Sequence, residues 1–240
     1  MQVQVYSSVN EVSSVQFANK TVVVIDVLRA TSTIISALAA GASCITPVGT
    51  VVEAKAAHRP GDLLGGERFG RKITGFDLGN SPDEYCEDIV KNRRIIFTTT
   101  NGTRALHKAM RADCVLAAAL LNASACAKAA AGQRKDIVLL CAGAHDQFAV
   151  EDGLCAGLLI KLIQSFSPAP IETDDLGAAM LGFYRDGASN VREVIASGVT
   201  GRKLLKMGLK KDLEACCQID KLNAVPKLHG DCLTLEPASS

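Results

Sequence analysis

Three stretches of this sequence place acids, bases and hydroxyls directly after apolar runs. The first is Asp26-Val27-Leu28-Arg29-Ala30-Thr31-Ser32, which continues the run VVVI. An acid that closes a buried strand must be paired or liganded, because an isolated buried carboxylate is costly. Arg29 stands three residues on, and Thr31 and Ser32 can open a helix. A helix N-terminus offers N–H groups and a positive dipole end to an anion. Arg29 adds a fork for phosphate or sulfonate oxygens. A simple Asp26–Arg29 ion pair with a hydroxyl cap accounts for the same residues without any ligand.

The second stretch is Thr98-Thr99-Thr100-Asn101-Gly102-Thr103-Arg104, after the run IIF. Asn-Gly permits positive φ, so consecutive N–H groups here can form an anion nest. An ordinary turn with a threonine cap is the plain alternative. The third is Ala142-Gly143-Ala144-His145-Asp146-Gln147, followed by Glu151 and Asp152. Asp146, Glu151 and Asp152 are oxygen donors of the kind Mg²⁺ takes, usually one or two carboxylates with waters and substrate phosphate. Acids in the first turn of a helix also need no metal to be favourable there. Between these stretches, residues 65–81 are glycine-rich and carry Glu67, Arg68, Asp77 and Asn80. They read as a flexible cover over a site, or as a bare surface loop.

Other phosphate chemistries lack their motifs. There is no G-x-x-x-x-G-K-[ST] and no G-x-G-x-x-G. No cysteine is followed six residues later by arginine, and Leu28 occupies the position where a haloacid-dehalogenase pattern needs a second aspartate.

The elements that must position these loops alternate regularly. The sequence predicts strands at residues 22–26, 44–48, 63–67, 95–100, 114–117 and 137–141. It predicts helices at 31–40, from Thr50 with Glu53 as a capping box, from Ser81 with Pro82 and Glu84, at 103–110, and at 151–166. The strands are continuously apolar, which fits a sheet covered on both faces. Strand–helix alternation fits mainly parallel pairing, with loops gathered at one sheet edge. From about residue 170 the chain is mainly helical, and VPKL and LTLEP near its end read as edge strands. One domain over residues 1–240 is expected. The apolar helix around Leu154–Ile163 suits either the sheet or a partner subunit, so a homo-oligomer is compatible with the pattern.

A net charge of +1 gives no global support for a nucleic-acid partner. No stretch of 18 apolar residues is present to span a membrane, and residues 1–10 lack the features of a signal peptide. A soluble cytoplasmic protein is the expectation. The nine cysteines, Cys44, Cys86, Cys114, Cys126, Cys141, Cys155, Cys216, Cys217 and Cys232, are odd in number and contain no C-x-x-C. A disulfide framework or structural zinc is therefore disfavoured, and most are expected in the core.

The ordered set VIDVLRATSTI, LGGERFGRKITGFDLGNSP, TTTNGTRAL and CAGAHDQFAVEDGLCAG, continued by LLKMGLKKDLEACCQID and AVPKL, resembles the 2-phosphosulfolactate phosphatase family. The resemblance runs from about Val22 to Leu228. It implies a three-layer α/β/α fold, Mg²⁺ dependence, hydrolysis of 2-phospho-3-sulfolactate to 3-sulfolactate and phosphate, and a link to coenzyme M biosynthesis. On this reading Asp26 is the leading metal ligand and a candidate nucleophile. Glu67, Asp146, Glu151 and Asp152 are further candidate ligands. Arg29, Arg104, Thr103 and the Asn101–Gly102 amides face the phosphoryl group, with Thr31, Ser32, Asn80 and Thr100 beside them. Arg68 holds the sulfonate or carboxylate. Attack by water or through an aspartyl-phosphate is left open. The competing expectations are a phosphatase of the same fold for another small anionic monoester, and a non-catalytic binder of anionic metabolites.

Overall fold

A computed structural model of the chain describes residues 1–235. The chain runs β1 (Gln2–Tyr6), β2 (Thr21–Ile25), α1 (Ala30–Ala39), β3 (Cys44–Pro47), α2 (Val51–Ala57), β4 (Leu63–Arg68) and β5 (Arg71–Lys72). It continues through α3 (Glu87–Val90), β6 (Arg94–Thr98), α4 (Gly102–Ala109), β7 (Cys114–Ala118), α5 (Ala123–Gly132) and β8 (Ile137–Cys141). Then come α6 (Val150–Phe166), β9 (Glu172–Thr173), α7 (Asp175–Gly187), α8 (Val191–Ser197), α9 (Val199–Lys206), α10 (Lys210–Cys216), β10 (Pro226–His229) and β11 (Cys232–Leu235).

The strands form one mixed sheet in the order β5-β4-β6-β3-β11-β10-β7-β2-β8-β1-β9. It consists of two parallel blocks, β4-β6-β3 and β7-β2-β8-β1, joined by an antiparallel hairpin. Alternate residues of each strand feed different layers. Val22, Val24, Val138 and Leu140 of one block share a core with Ile45, Leu63, Ile95 and Phe97 of the other, around Ile34, Leu38, Ala105 and Leu106 of α1 and α4. The opposite face of the first block packs Val23, Ile25, Leu116 and Leu139 on α5 and α6. The opposite face of the second packs Leu64 and Ile96 around Ala54 of α2. Helices therefore cover both faces, as expected for three layers, and period-2 strands buried on both sides explain the continuous apolar runs.

Several expectations need correction. VPKL and the described part of LTLEP are not edge strands but the centre of the sheet, where β10 meets β7 through Lys227 and Leu116 and β11 meets β3 through Leu233 and Ile45. The remainder of LTLEP lies outside the described residues. Residues 2–6 form an unexpected strand between β8 and β9. Ser81 caps no helix: residues 82–84 make a single 3-10 turn, the Ser81 hydroxyl donates to Asp212 (2.8 Å), and Glu84 accepts from the Gly79 amide (2.7 Å). Cys44 and Cys232 are joined in a disulfide across β3 and β11, contrary to the expectation from the cysteine spacing. Cys114, Cys126, Cys141, Cys155 and Cys216 are buried and outside any disulfide, as expected. The apolar α6 is enclosed by the sheet, α5 and α7. No helix among the described residues is long and apolar enough to cross a membrane.

Candidate active site

Adjacent strands lie ~4.8 Å apart, so a flat sheet would part β2 from β4, six intervals away, by roughly 29 Å. Yet Asp26, just beyond β2, and Glu67, on β4, line the same pocket. The sheet bends around α1 and α4, and this curvature brings the two sets of loops together. The pocket encloses about 90 Å³, room for a few waters or one small anionic group.

Asp26 is set by its own loop. Its backbone carbonyl accepts from the Thr31 amide (3.0 Å) and hydroxyl (2.8 Å), and its Oδ1 accepts from the Ala30 amide (3.1 Å). The N-terminus of α1 is thus spent on Asp26 rather than on an external anion. Gly102 is pressed against this loop: a Cβ there would meet the Ala30 side chain and lie 2.7 Å from Asp26 Oδ2. Asp26 Oδ2 itself has no hydrogen-bond partner among the described residues. Ser32 donates to the Val27 carbonyl (2.8 Å). Thr31 and Ser32 are fully buried, build the loop and do not line the pocket.

The other acids differ in how their oxygens are used. Glu67 accepts from the Gly70 (2.6 Å) and Thr100 (2.8 Å) amides, one on each oxygen. Asp152 likewise accepts from Val27 (2.9 Å) and Gly143 (3.0 Å), clamping the loop after β2 to the loop after β8. Glu151 is 2% exposed, and its Oε2 is buried without a partner. Burial pushes the Asp26 carboxyl up to about 7, opposed by the Ala30 amide and reinforced by the charges of Glu67 and Glu151. Burial also raises Glu151 and, with the charges of Asp26 and Glu151 added, raises Asp152 well above the usual range. Crowded buried carboxylates resist ionising together.

Arg29 lines the pocket, and the alternative ion pair with Asp26 does not form. Its guanidinium pairs instead with Asp212 of α10, both side chains being nearly buried, and donates to the Gly70 carbonyl (3.1 Å). Asp212 also receives the Ser81 hydroxyl. The Leu28–Arg29 peptide is cis. Asn80 and Thr100 both line the pocket, and each has a buried side-chain oxygen without a partner. Asn101 lines it too, as N-cap of α4 with φ −118°. The expected positive-φ nest is therefore absent; Gly102 serves close packing instead. Thr103 is used internally, exchanging bonds with Thr99.

Three further predicted residues, Arg68, Arg104 and Asp146, are engaged outside this pocket. Arg68 donates to the carbonyls of Glu67 (2.8 Å) and Gly49 (3.1 Å) and to the Thr98 hydroxyl (2.9 Å). Arg104 and Asp146 form an exposed ion pair (3.1 Å), with Asn10 as a second partner of Arg104. Nor is the glycine-rich segment a loose cover. Gly66 donates to the carbonyls of Leu78 and Gly79, Leu64 donates to Asp77, and the segment walls the pocket with Glu67, Phe69, Gly70 and Asn80. Sequence reasoning did not single out Asp212, His145 as a lining residue, or the wall supplied by α9 through Val199, Thr200, Lys203 and Leu204. The stretch LLKMGLKKDLEACCQID was the only signal for Asp212.

Among the described residues no three acidic, histidine or cysteine side chains close on one point as a ready-made metal site. The donor set nevertheless fits Mg²⁺, which commonly takes one or two carboxylates and completes its shell with water and phosphate. Asp26 Oδ2 and Glu151 Oε2 are the carboxylate oxygens left over after the amides are counted, and a cation would offset the burial that raises both groups.

The fold and this pocket define an α/β enzyme with acids and helix N-termini at one bent sheet edge. The chain belongs to the 2-phosphosulpholactate phosphatase family, whose model matches residues 6–231; its members are phosphoric monoester hydrolases. It is 42% identical over 232 residues to a probable 2-phosphosulfolactate phosphatase of Caldanaerobacter subterraneus subsp. tengcongensis, covering 95% of each chain. It is 41% identical to the protein of the same description from Symbiobacterium thermophilum, covering 88% of this chain and 92% of that one. With that of Clostridium acetobutylicum it shares 36% identity over 95% and 97%.

Proposed function

We propose that this pocket hydrolyses 2-phospho-3-sulfolactate to 3-sulfolactate and inorganic phosphate with Mg²⁺ as cofactor. The observation that carries the proposal is the buried pair Asp26 and Glu151, each with an oxygen left unbonded by the protein, beside Arg29. Family membership supports the substrate. Asp26 and Glu151 would hold the ion, which when bound supplies Lewis-acid polarisation of a phosphoryl oxygen.

The chain's own residues do the rest. Arg29, held by Asp212 and the Gly70 carbonyl, stabilises charge on the phosphoryl oxygens during transfer. Its guanidinium is pre-set, so little reorganisation is needed at the moment of reaction. Asn80 and Thr100 offer their unpartnered oxygens to orient the substrate and its waters. Glu67 and Asp152 fix the loops rather than touch the substrate. In the balanced reaction one oxygen from water joins phosphorus, the ester P–O bond breaks, and the 2-hydroxyl of sulfolactate takes a proton.

Phosphate release from racemic 2-phospho-3-sulfolactate, with Mg²⁺ and then with EDTA, tests this directly. Rapid release abolished by EDTA is expected. No release from folded, Mg²⁺-loaded protein overturns the substrate, and release untouched by EDTA overturns the cofactor.

A further inference from the structure

The pocket is electrically lopsided. Its floor carries Asp26, Glu67, Glu151 and Asp152, whereas its outer wall on α9 carries Lys203. Lys203 also borders a second, outer groove with Arg71, Arg202 and Lys206, which no carboxylate lines. The side chain is half-buried and lies over the β4–β5 turn, where a Cβ on Gly70 would sit 3.9 Å from Lys203 Cε. Among the described residues its ammonium has no hydrogen-bond or ion-pair partner. Arg29, the other lysine or arginine lining the pocket, is already held by Asp212 and the Gly70 carbonyl.

We propose that Lys203 binds the second acidic group of the substrate, a carboxylate or sulfonate, at the mouth of the pocket while the phosphoryl group lies over the floor. This rests on the phosphatase reading above. No carboxylate or carbonyl of the described residues pairs with this ammonium, so an anionic substrate end can supply its counter-charge. The same acid on the floor would face four carboxylates, so the charge layout orients a molecule bearing phosphate at one end and other acids at the opposite end. A lysine suits this role because a compact point charge accepts either a carboxylate or a sulfonate without demanding fork geometry. Lys203 then determines specificity rather than performing the chemistry. Simple phosphomonoesters lose its contribution, since a site built for a charged group discriminates against analogues without one.

Calorimetric titration of wild-type protein, K203M and K203R with 3-sulfolactate, and separately with inorganic phosphate, tests the assignment. Methionine keeps the stem that covers Gly70 and removes the charge. In K203M, sulfolactate affinity should fall about ten- to a hundredfold, the range of one charge-assisted hydrogen bond, while phosphate affinity moves less than about threefold. K203R should recover most of the loss. Unchanged sulfolactate affinity, or equal weakening of both ligands, overturns the proposal; retained phosphate binding shows that the variant is folded. Failure of the wild type to release phosphate would sink the phosphatase reading, yet sulfolactate binding would still decide the role of Lys203.

Discussion

Replacing Asp26 with asparagine separates the cost of holding an acid in this pocket from its use. Asparagine keeps an oxygen for the Ala30 amide and removes the charge. The folded-state value of about 7 lies above the reference 3.8 by about 3 units. The folded protein therefore binds more protons than the unfolded chain between about pH 4 and 7, and stability falls as pH rises through that window. At about 1.4 kcal/mol per unit, ionised Asp26 costs the wild type on the order of 4 kcal/mol above pH 7. D26N should be more stable than wild type at pH 8 in EDTA, by up to that amount, or on the order of 10 °C in Tm. Below about pH 4 the advantage should vanish, because the wild-type carboxyl is then protonated in both states. Urea unfolding at pH 4 and pH 8 in EDTA measures the difference. Phosphate release should meanwhile drop by about a thousandfold or more, as when a group acting on the transition state is lost. A D26N variant no more stable than wild type at pH 8, or equally advantaged at both pH values, would refute the electrostatic account. Full turnover by D26N would remove Asp26 from the chemistry.

D212N leaves Arg29 buried with its neighbouring charge removed, so it should lose about 3–5 kcal/mol in urea unfolding. It should also lower kcat for phosphate release, whereas S81A, which leaves the ion pair, should do so far less. G102A inserts a methyl group against Ala30 and Asp26; it should cost about 1–3 kcal/mol and reduce activity by moving α4 off the Asp26 loop. C232S opens the disulfide that spans 188 residues and should lower stability by about 2–4 kcal/mol, read as the midpoint shift relative to unreduced wild type.

Much of the frame was legible because β2, β6 and β8 are runs of apolar, largely β-branched residues buried on both faces. Their loops were legible because hydroxyls and acids interrupt those runs abruptly. β1 escaped notice because QVQVY alternates polar and apolar over only five residues. β10 and β11 read as edges because they carry lysine, histidine and threonine. They sit at the sheet's centre but share only one ladder pair each with β7 and β3, so they remain partly exposed. Within the site, the sequence brought out Asp26, Glu67, Glu151 and Asp152 but not their separate duties, which depend on amides up to 125 positions away. Arg104 and Asp146 shared the right loops but project outward to one another. Asp212 bonds Arg29 from 183 residues away, a separation that no local pattern encodes.

The hairpin at the centre of the sheet also sets an order of assembly. A ribosome makes β3 and β7 well before residues 226–235, so each parallel block waits with an unpaired inner border until those residues leave the exit tunnel. Such borders invite pairing with other chains. Asp26 and Glu151 come with one block, Glu67 and Thr100 with the other. A nascent chain stalled short of the hairpin would thus carry every acid of the pocket while still lacking the strands that tie its two halves into one sheet.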